Sequence, residues 1–266
     1  MLLGPKEFML SRQNLKSIYK GSFSLLHSVK PLKKKGVVIL LYHSVGNSSV
    51  SKRLFEEQMV FLKKNYTVLK LDDLILHLRN NQAIRDNCAA ITFDDGYRDN
   101  YEVAYPILKD LNIPATIYLT AGYLDSGDNK YLSWDMAKEM VQSGLISIGD
   151  HTYSHPVLSN LDTNLQEIEI ASGRKRIEEV LGINVTSFAY PYGQAAHLSK
   201  DTISILKKKG YNNAVTAFSK MIDSPLQSVY EIPRVPMDGV VNMKEFEIRL
   251  SEFWGKTQWY LEIIKR

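Results

Sequence analysis

An apolar run that ends in two adjacent carboxylates and a glycine is the feature of this sequence that most limits its fold. The run 89–93 predicts a buried strand, and Asp94, Asp95 and Gly96 follow it directly. Two neighbouring carboxylates repel each other and lose hydration at a strand end unless a positive charge lies beside them. A divalent metal would supply that charge, and Gly96 would allow a tight turn there. The alternative is a strand that simply ends in an Asp-Gly turn.

From Gly36 onward, short apolar runs alternate with amphipathic segments. Val37–Tyr42 is apolar throughout, as expected for a strand buried on both faces. Repeated βα units without a linker predict one α/β domain, over 36–266, built on a parallel sheet or barrel. The predicted strands are 37–42, 66–69, 89–93, 115–120, 145–148, 185–189, 211–216 and 229–232; the predicted helices are 51–65, 72–79, 100–111, 133–143, 163–181 and 199–209, followed by a helical C-terminal tail, and 121–132 is a predicted polar loop.

The positive charge is concentrated at the N-terminus. Residues 1–35 hold eight Lys and Arg against one acid, Glu7, whereas the rest of the chain is slightly acidic. This distribution argues against a nucleic-acid-binding protein, which would carry its basic surface on the folded domain. We predict that residues 1–35 are a basic helical extension that either lies on anionic lipid or covers one end of the barrel.

Cysteine content and hydropathy suggest a cellular location. Cys88 is the only cysteine, so disulfides and a thiolate metal cluster are excluded. The N-terminus lacks the apolar core and cleavage site of a secretory signal, and the chain has no run of about 18 apolar residues. We expect a cytoplasmic protein; if residues 1–35 lie on anionic lipid rather than covering the barrel, it would associate peripherally with the inner face of the membrane.

Two histidines follow the predicted strand 145–148. His151 and His155 are four residues apart, so on a helical turn they would share one side and could bind one metal. Either could also be an ordinary core or surface residue. Together with an Asp they would make a three-ligand set that leaves positions open, as in catalytic sites for Zn²⁺, Co²⁺ or Ni²⁺.

A third motif, 188–193 (Phe-Ala-Tyr-Pro-Tyr-Gly), also follows a predicted strand. Its proline and glycine could aim a main-chain N–H into a site, although a hydrophobic turn is the alternative. In this order and spacing, the motifs 92–96, 151–155 and 188–193 make residues 36–240 resemble the polysaccharide deacetylase family. The resemblance implies a distorted (β/α)7 barrel, and a metal-dependent removal of acetyl groups from sugars.

The resemblance also implies a role for each motif residue. Asp95, His151 and His155 would bind the metal, and Asp94 would be the general base. The backbone N–H of Tyr192 would stabilise the oxyanion of the tetrahedral intermediate.

The sequence departs from the family pattern at the residue that orients the base. Ala189 stands where many members have an Arg. We predict that Arg234, held between Pro233 and Pro236, replaces it and keeps Asp94 ionised. The alternative is an exposed surface arginine.

A second departure concerns the general acid. Many members carry a C-terminal Leu-x-His motif, but no histidine follows His197. Tyr42-His43 at the end of the first strand resembles the poly-β-1,6-N-acetylglucosamine deacetylase subgroup, in which an N-terminal histidine is the acid. His43 is therefore the predicted acid. The alternative is a histidine whose ring is bound to a backbone carbonyl.

Three further residues are assigned to substrate binding. Trp134 resembles a family residue that lines the sugar groove, and Tyr190 and Pro191 belong to the third motif.

The sequence thus predicts a hydrolase of linear amide C–N bonds. It would remove the N-acetyl group from an N-acetylhexosamine residue of a cell-surface glycan, or of a lipid- or nucleotide-linked precursor such as a lipopolysaccharide core. The expected partner is a carbohydrate or glycolipid, and the sequence does not determine an oligomeric state. A glycosidase is a weaker alternative, because adjacent Asp residues do not easily flank one glycosidic bond. A homologue that binds metal and sugar without turnover remains a third alternative.

Overall fold

The strands of the protein form one parallel sheet. The computed structural model describes residues 36–46, 49–79, 87–222 and 226–251, all of which belong to one compact unit over 34–266. The strands are β1 (Val37–Tyr42), β2 (Thr67–Val68), β3 (Cys88–Phe93), β4 (Ala115–Leu119), β5 (Ile146–Asp150), β6 (Ser187–Ala189), β7 (Asn213–Val215) and β8 (Val235–Pro236).

Seven of these strands follow one path, in the order β7-β6-β5-β4-β3-β1-β8, and β2 pairs with the start of β3. The segment 229–236 connects the two ends of the path. Ile232 exchanges backbone hydrogen bonds with β7, and Val235 pairs with Leu40 of β1. This arrangement confirms the predicted distorted (β/α)7 barrel.

All but the last of the helices lie between successive strands, and their ends follow local capping chemistry. Ser51 and Asp162 accept a hydrogen bond from the backbone N–H three residues later, and Gly182 ends its helix in the left-handed conformation. The helices are α1 (Lys52–Asn65), α2 (Leu71–Arg79), α3 (Tyr105–Asp110), α4 (Ala121–Asp125), α5 (Trp134–Gln142), α6 (Thr163–Leu181), α7 (Lys200–Lys208) and α8 (Met243–Arg249), with a π-helical turn at Asn100–Ala104 and 3-10 turns at Leu158–Asn160 and Ala195–His197.

Alternate residues of the strands enter two hydrophobic clusters. Val38, Leu40 and Tyr42 of β1 join the larger cluster, which includes residues of helices α1, α5 and α6. Val37 and Ile39 join a smaller cluster with alternate residues of the other strands and the apolar face of α2. Both faces of β1 are therefore buried, which explains its unbroken apolar sequence.

Two local predictions were wrong, although the predicted helix 100–111 is confirmed as a π-helical turn followed directly by α3. The predicted polar loop 121–132 begins with helix α4. The predicted strand 229–232 is reduced to a bridge at Ile232, while the regular strand β8 begins at Val235.

Two other predictions lie outside the described residues. These are the basic helical extension at 1–35 and the part of the C-terminal helical tail that follows residue 251. Among the helices of the described segments, none combines the length and apolar character that crossing a bilayer requires.

Helix α6 packs directly against the loop that carries the two histidines. A Cβ added to Gly173 would lie 2.5 Å from Asp150 Oδ1 and 2.6 Å from the carbonyl carbon of Thr152. One turn earlier, the carboxylate of Glu169 accepts hydrogen bonds from the N–H and hydroxyl of Ser154. Gly173 is therefore needed for close approach of α6 to this loop.

We expect Gly173→Ala to destabilise the protein by about 1–3 kcal/mol, because the new methyl group overlaps the backbone of the histidine loop. Alanine would normally stabilise a helix relative to glycine. A lower free energy of unfolding in Gly173→Ala would therefore indicate the steric overlap. Ser172→Ala, one residue earlier on α6, is the matched control and should leave the free energy of unfolding nearly unchanged. Urea unfolding measures both variants, and an unchanged or raised midpoint for Gly173→Ala would contradict this packing.

Candidate metal centre and catalytic site

The predicted site residues meet at one edge of the sheet because they follow the carboxyl ends of neighbouring parallel strands. The register of β1 and β3 pairs Tyr42 with Phe93, so His43 and Asp94 are neighbours as the two strands end. His151 follows β5 directly, and the 188–193 motif includes the end of β6.

Asp95, His151 and His155 form a compact cluster of possible metal ligands. Oδ1 of Asp95 lies 3.5 Å from Nε2 of His151 and 3.3 Å from Nε2 of His155, and the two Nε2 atoms are 3.2 Å apart. Three ligands bound tetrahedrally at about 2.0–2.1 Å would be about 3.3–3.4 Å apart, so these distances fit one metal ion.

The hydrogen bonds around the cluster also fit a metal. The Oδ1 atom of Asp95 is buried and has no hydrogen-bond partner among the described residues, which is costly for a carboxylate unless a cation binds it. Nδ1 of His151 lies 2.8 Å from the carbonyl oxygen of Ala189 and must carry the proton to donate there. That tautomer leaves Nε2 as the free lone pair that faces the cluster.

The two histidines do not lie on a helical turn, which corrects the sequence prediction. Thr152 and His155 have positive φ angles of 68° and 61°, and the chain turns sharply between His151 and His155. The backbone N–H of His155 donates to the hydroxyl of Thr152. Burial, together with the neighbouring His151, lowers the pKa of His155 to about 4, so its imidazole is neutral and available as a ligand at neutral pH.

Asp94 forms a buried, bidentate ion pair with Arg234. The two guanidinium NH2 groups of Arg234 donate to the two oxygens of Asp94, both at 2.7 Å, and Arg234 is 0% exposed. Burial alone would raise the pKa of Asp94, but Arg234, together with the neighbouring His151 and His43, outweighs burial and lowers the pKa to about 2. Asp94 is therefore ionised at neutral pH, and Arg234 is not the exposed surface arginine of the alternative.

Arg234 is itself held from several sides. Its Nε donates to the carbonyl of Thr216, and a terminal nitrogen donates to the hydroxyl of Thr92. Its guanidinium carbon lies 5.5 Å from the ring centroid of Tyr118, a cation–π contact. These contacts fix the orientation of the group that holds Asp94.

His43 is held by Asp238, a residue that the sequence analysis missed. Nδ1 of His43 lies 2.7 Å from Oδ2 of Asp238, whose other oxygen accepts a hydrogen bond from Ser49. The alternative in which a backbone carbonyl binds this ring nitrogen is therefore wrong. The signal for Asp238 was an Asp-Gly pair just after a strand, the same pattern as Asp95 and Gly96.

The environment of His43 favours its protonated form. Burial would lower its pKa, but the hydrogen bond to Asp238 and the charges of Asp94, Asp238 and Asp95 raise it to about 9. The side chain keeps 37% of its surface exposed, so a protonated imidazole can still be reached from solvent. The edge of the sheet thus carries one carboxylate that is ionised and one imidazole that is protonated at neutral pH.

The third motif places Tyr192 against the cluster of possible metal ligands. Its φ is positive, at 61°, its ring centroid lies 4.8 Å from that of His155, and the residue is 53% exposed. Within the described part of the chain, its backbone N–H donates to no carbonyl or side chain. That N–H can therefore donate to a ligand.

Two of the three substrate-binding predictions, those for Tyr190 and Pro191, need correction. Tyr190 is buried and its hydroxyl donates to the carbonyl of Tyr230, so its side chain supports the barrel and does not line a groove. Pro191 is also buried. Trp134 is half-buried, its indole N–H donates to Asp125, and Arg176 packs over its ring; its place in a sugar groove stays a prediction.

Two aromatic residues that the sequence analysis did not assign lie near His155. Tyr123 and Tyr131 come from the segment that was predicted as a polar loop, and they stack beside Tyr97. Burial, with smaller contributions from Tyr131 and Asp95, raises the pKa of Tyr123 to about 12, so its hydroxyl stays protonated at neutral pH.

Comparisons with known proteins agree on one family. The sequence model described as polysaccharide deacetylase matches residues 81–214. The Bacillus subtilis (strain 168) protein YxkH, whose name places it among polysaccharide deacetylases, is 36% identical over 192 residues, which cover 71% of this chain and 67% of that protein. The poly-β-1,6-N-acetyl-D-glucosamine N-deacetylase of Staphylococcus aureus is 29% identical over 204 residues, which cover 72% of this chain and 68% of that enzyme. Among solved structures, the Streptococcus pyogenes deacetylase PplD in complex with acetate gives a TM-score of 0.73 at 26% identity, covering 82% of this chain and 100% of that one.

We expect Arg234→Met to lower the free energy of unfolding by about 3–5 kcal/mol, because it leaves the buried carboxylate of Asp94 without its counter-charge. Arg53→Met is the matched control, since Arg53 pairs with Glu57 on the surface of α1, where such a pair contributes less than about 1 kcal/mol. Urea unfolding at neutral pH compares the two variants. Equal losses of unfolding free energy in the two variants would contradict the conclusion that the buried Asp94–Arg234 pair contributes more to stability than a surface pair.

The pKa of His43 can be read by NMR in metal-free protein, where we expect a value of about 9. In Asp238→Asn the value should fall toward the ordinary 6.5, because the hydrogen bond to a carboxylate is lost. Because the folded-state pKa lies above the unfolded one, the pair stabilises the protein fully below about pH 6.5 and loses this contribution as the pH rises through 9. A His43 pKa that is identical in both proteins would show that Asp238 does not hold the imidazolium.

Proposed function

Because the chain belongs to the polysaccharide deacetylase family, we propose that it removes the N-acetyl group from an N-acetylhexosamine residue of a cell-surface glycan or its precursor. The observation that carries the proposal is the placement of an ionised base, Asp94, and a protonated acid, His43, at adjacent strand ends beside the Asp95–His151–His155 cluster. Hydrolysis of an amide needs such a pair, because the water must lose a proton and the leaving nitrogen must gain one.

The proposed substrate is a chain of N-acetylglucosamine residues. The Staphylococcus aureus relative is named for poly-β-1,6-N-acetyl-D-glucosamine, and its 29% identity extends over most of both chains. This makes β-1,6-linked oligomers the first substrates to test. A lipid- or nucleotide-linked precursor, such as a lipopolysaccharide core, belongs to the same proposal as an alternative source of the sugar, and the cytoplasmic location stays a prediction.

Asp95, His151 and His155 would hold the metal, for which we propose Zn²⁺. Two imidazole nitrogens and one carboxylate oxygen are a common zinc set with positions left for water and substrate, and Co²⁺ or Ni²⁺ would also fit. When bound, such an ion polarises the acetamide carbonyl and lowers the pKa of water.

Two residues of the chain then carry out one proton transfer each. Asp94 accepts a proton from the water that attacks the acetamide carbonyl carbon, and Arg234 keeps this carboxylate oriented. The backbone N–H of Tyr192 donates a hydrogen bond to the carbonyl oxygen as negative charge develops on it. His43 donates its proton to the leaving nitrogen as the C–N bond breaks, which gives acetate and a free amine.

We expect the purified protein to release acetate from a β-1,6-linked N-acetylglucosamine oligomer only when Zn²⁺ or Co²⁺ is present. Asp94→Asn and His43→Asn should each lower kcat by about 100-fold or more, because each removes one proton-transfer group. His197→Ala is the matched control, since this histidine touches Tyr192 but has no place in the proposed chemistry.

The same assay distinguishes the alternatives. Metal binding and oligomer binding with no acetate from the wild type or from any of the three variants would establish the non-catalytic homologue instead. Release of new reducing ends without acetate would establish a glycosidase.

A further inference from the structure

The turn that carries His43 is held on its backbone side by two residues of the segment that follows β3. Asn100 is 1% exposed, and its side-chain amide donates to the carbonyl oxygen of His43 at 2.8 Å. Asp99 accepts a hydrogen bond from the hydroxyl of Ser44 and another from the backbone of Val45. Two adjacent side chains therefore bind three consecutive residues of the turn.

The two segments also pack against each other directly. The backbone N–H of Asp94 donates to the carbonyl of Tyr42 at 3.0 Å. A Cβ added to Gly46 would lie 3.1 Å from Cγ2 of Val103, in the π-helical turn that begins at Asn100. Such π-helical turns are frequent at functional sites. The segment that carries the proposed base is thus joined to the segment that carries the proposed acid, both before and after the acid.

The orientation of the Asn100 amide follows from its neighbours. Its nitrogen faces two oxygens, the carbonyl of His43 and Oδ1 of Asp99, which lies 3.2 Å away. Its own Oδ1 is buried and has no hydrogen-bond partner among the described residues. A buried oxygen that is left unpaired lowers stability, so stability alone does not favour asparagine here. The hydrogen bond to the backbone of His43 is what this side chain provides.

Different elements hold the ring and the backbone of His43. Nδ1 lies 2.7 Å from Oδ2 of Asp238, which follows β8, whereas the carbonyl oxygen is bound by Asn100, which follows β3. Asp238 sets the charge of the ring, and Asn100 with Asp99 sets the position of the chain from which the ring projects. Proton transfer to the leaving nitrogen needs both, because catalysis falls steeply when the proton donor is misplaced.

We propose that Asn100, supported by Asp99, is a positioning residue for the general acid, and that it fixes the backbone of His43 so that the imidazolium can protonate the leaving nitrogen. The inference rests on the proposed function and deepens it. Asn100 acts on the reaction through His43 and not by touching the substrate.

The test compares the same substitution at two buried asparagines. Asn100→Leu keeps the approximate size of the side chain and removes its hydrogen bonds. Asn213→Leu is the matched control, because Asn213 is also 1% exposed and its amide joins Ser187 to Asp72. Asn213 begins β7, whereas the proposed site lies at the carboxyl ends of the strands.

With a β-1,6-linked N-acetylglucosamine tetrasaccharide and Zn²⁺, we expect Asn100→Leu to lower kcat about tenfold and to leave KM within about twofold, because the acid is misplaced while the substrate still binds. In the His43→Asn background the same substitution should change kcat by less than about twofold, since the acid is already absent. Asn213→Leu should lower stability in urea but keep the kcat of its parent in both backgrounds.

Ser44→Ala is a milder variant that keeps the proposal testable if Asn100→Leu folds poorly. It removes only the hydroxyl that binds Asp99. We expect kcat to fall in the same direction by a smaller factor, and this loss should also disappear in the His43→Asn background.

NMR of metal-free protein reads the position of the imidazole without turnover. In Asn100→Leu, the pKa of His43 should fall from about 9 part of the way toward the ordinary 6.5, because the shifted ring loses part of its hydrogen bond to Asp238. Asn213→Leu should leave this pKa at the wild-type value. A purely structural role of Asn100 would lower the free energy of unfolding without moving the pKa of His43.

Three results with an active wild type would overturn the positioning role. These are an unchanged kcat in Asn100→Leu, a loss that persists in the His43→Asn background, and an equal loss in Asn213→Leu. A wild type that releases no acetate would refute the proposed function instead. The pKa of His43 in Asn100→Leu would then decide by itself whether this asparagine positions the imidazole, since that measurement needs neither metal nor substrate.

Discussion

The buried ion pair between Asp94 and Arg234 is the interaction on which the rest of the structure depends. Arg234 is 0% exposed, and a guanidinium in that position is tolerated only because a carboxylate and two oxygen acceptors surround it. The segment 229–236 carries Arg234 and also joins β7 to β1. Closure of the barrel and ionisation of Asp94 are therefore coupled, since the strand that completes the ring also delivers the counter-charge.

Strand β8 is flanked by the partners of both titratable groups. Arg234 precedes β8 and holds Asp94, while Asp238 follows β8 and holds His43. The short segment around β8 therefore keeps an imidazole protonated at the end of β1, with which β8 pairs, and a carboxylate ionised at the end of β3, the next strand along. Opposite charges at hydrogen-bond distance move the two pKa values in opposite directions, which separates the proposed roles of base and acid.

The proposed metal ligands were predictable because the local sequence places them at strand ends. Asp95 follows a strongly apolar run, and His151 follows the shorter strand pattern 145–148, both of which are evident without any tertiary information. The helical turn that was predicted between His151 and His155 is absent, because Thr152 and His155 adopt positive φ angles that spacing alone does not reveal. Tyr190 looked like a groove residue for a similar reason, since a motif does not report which of its side chains is buried.

The sequence alone determined the order of strands and helices, the ends at which chemistry occurs, and the family resemblance. These properties depend on neighbouring residues, through apolar periodicity, capping and motif spacing. Tertiary structure decided which distant residues meet at those ends. Asp238 is 195 positions from His43, and Arg234 is 140 positions from Asp94. Their contacts depend on strand register and barrel closure, which arise from packing of the whole chain.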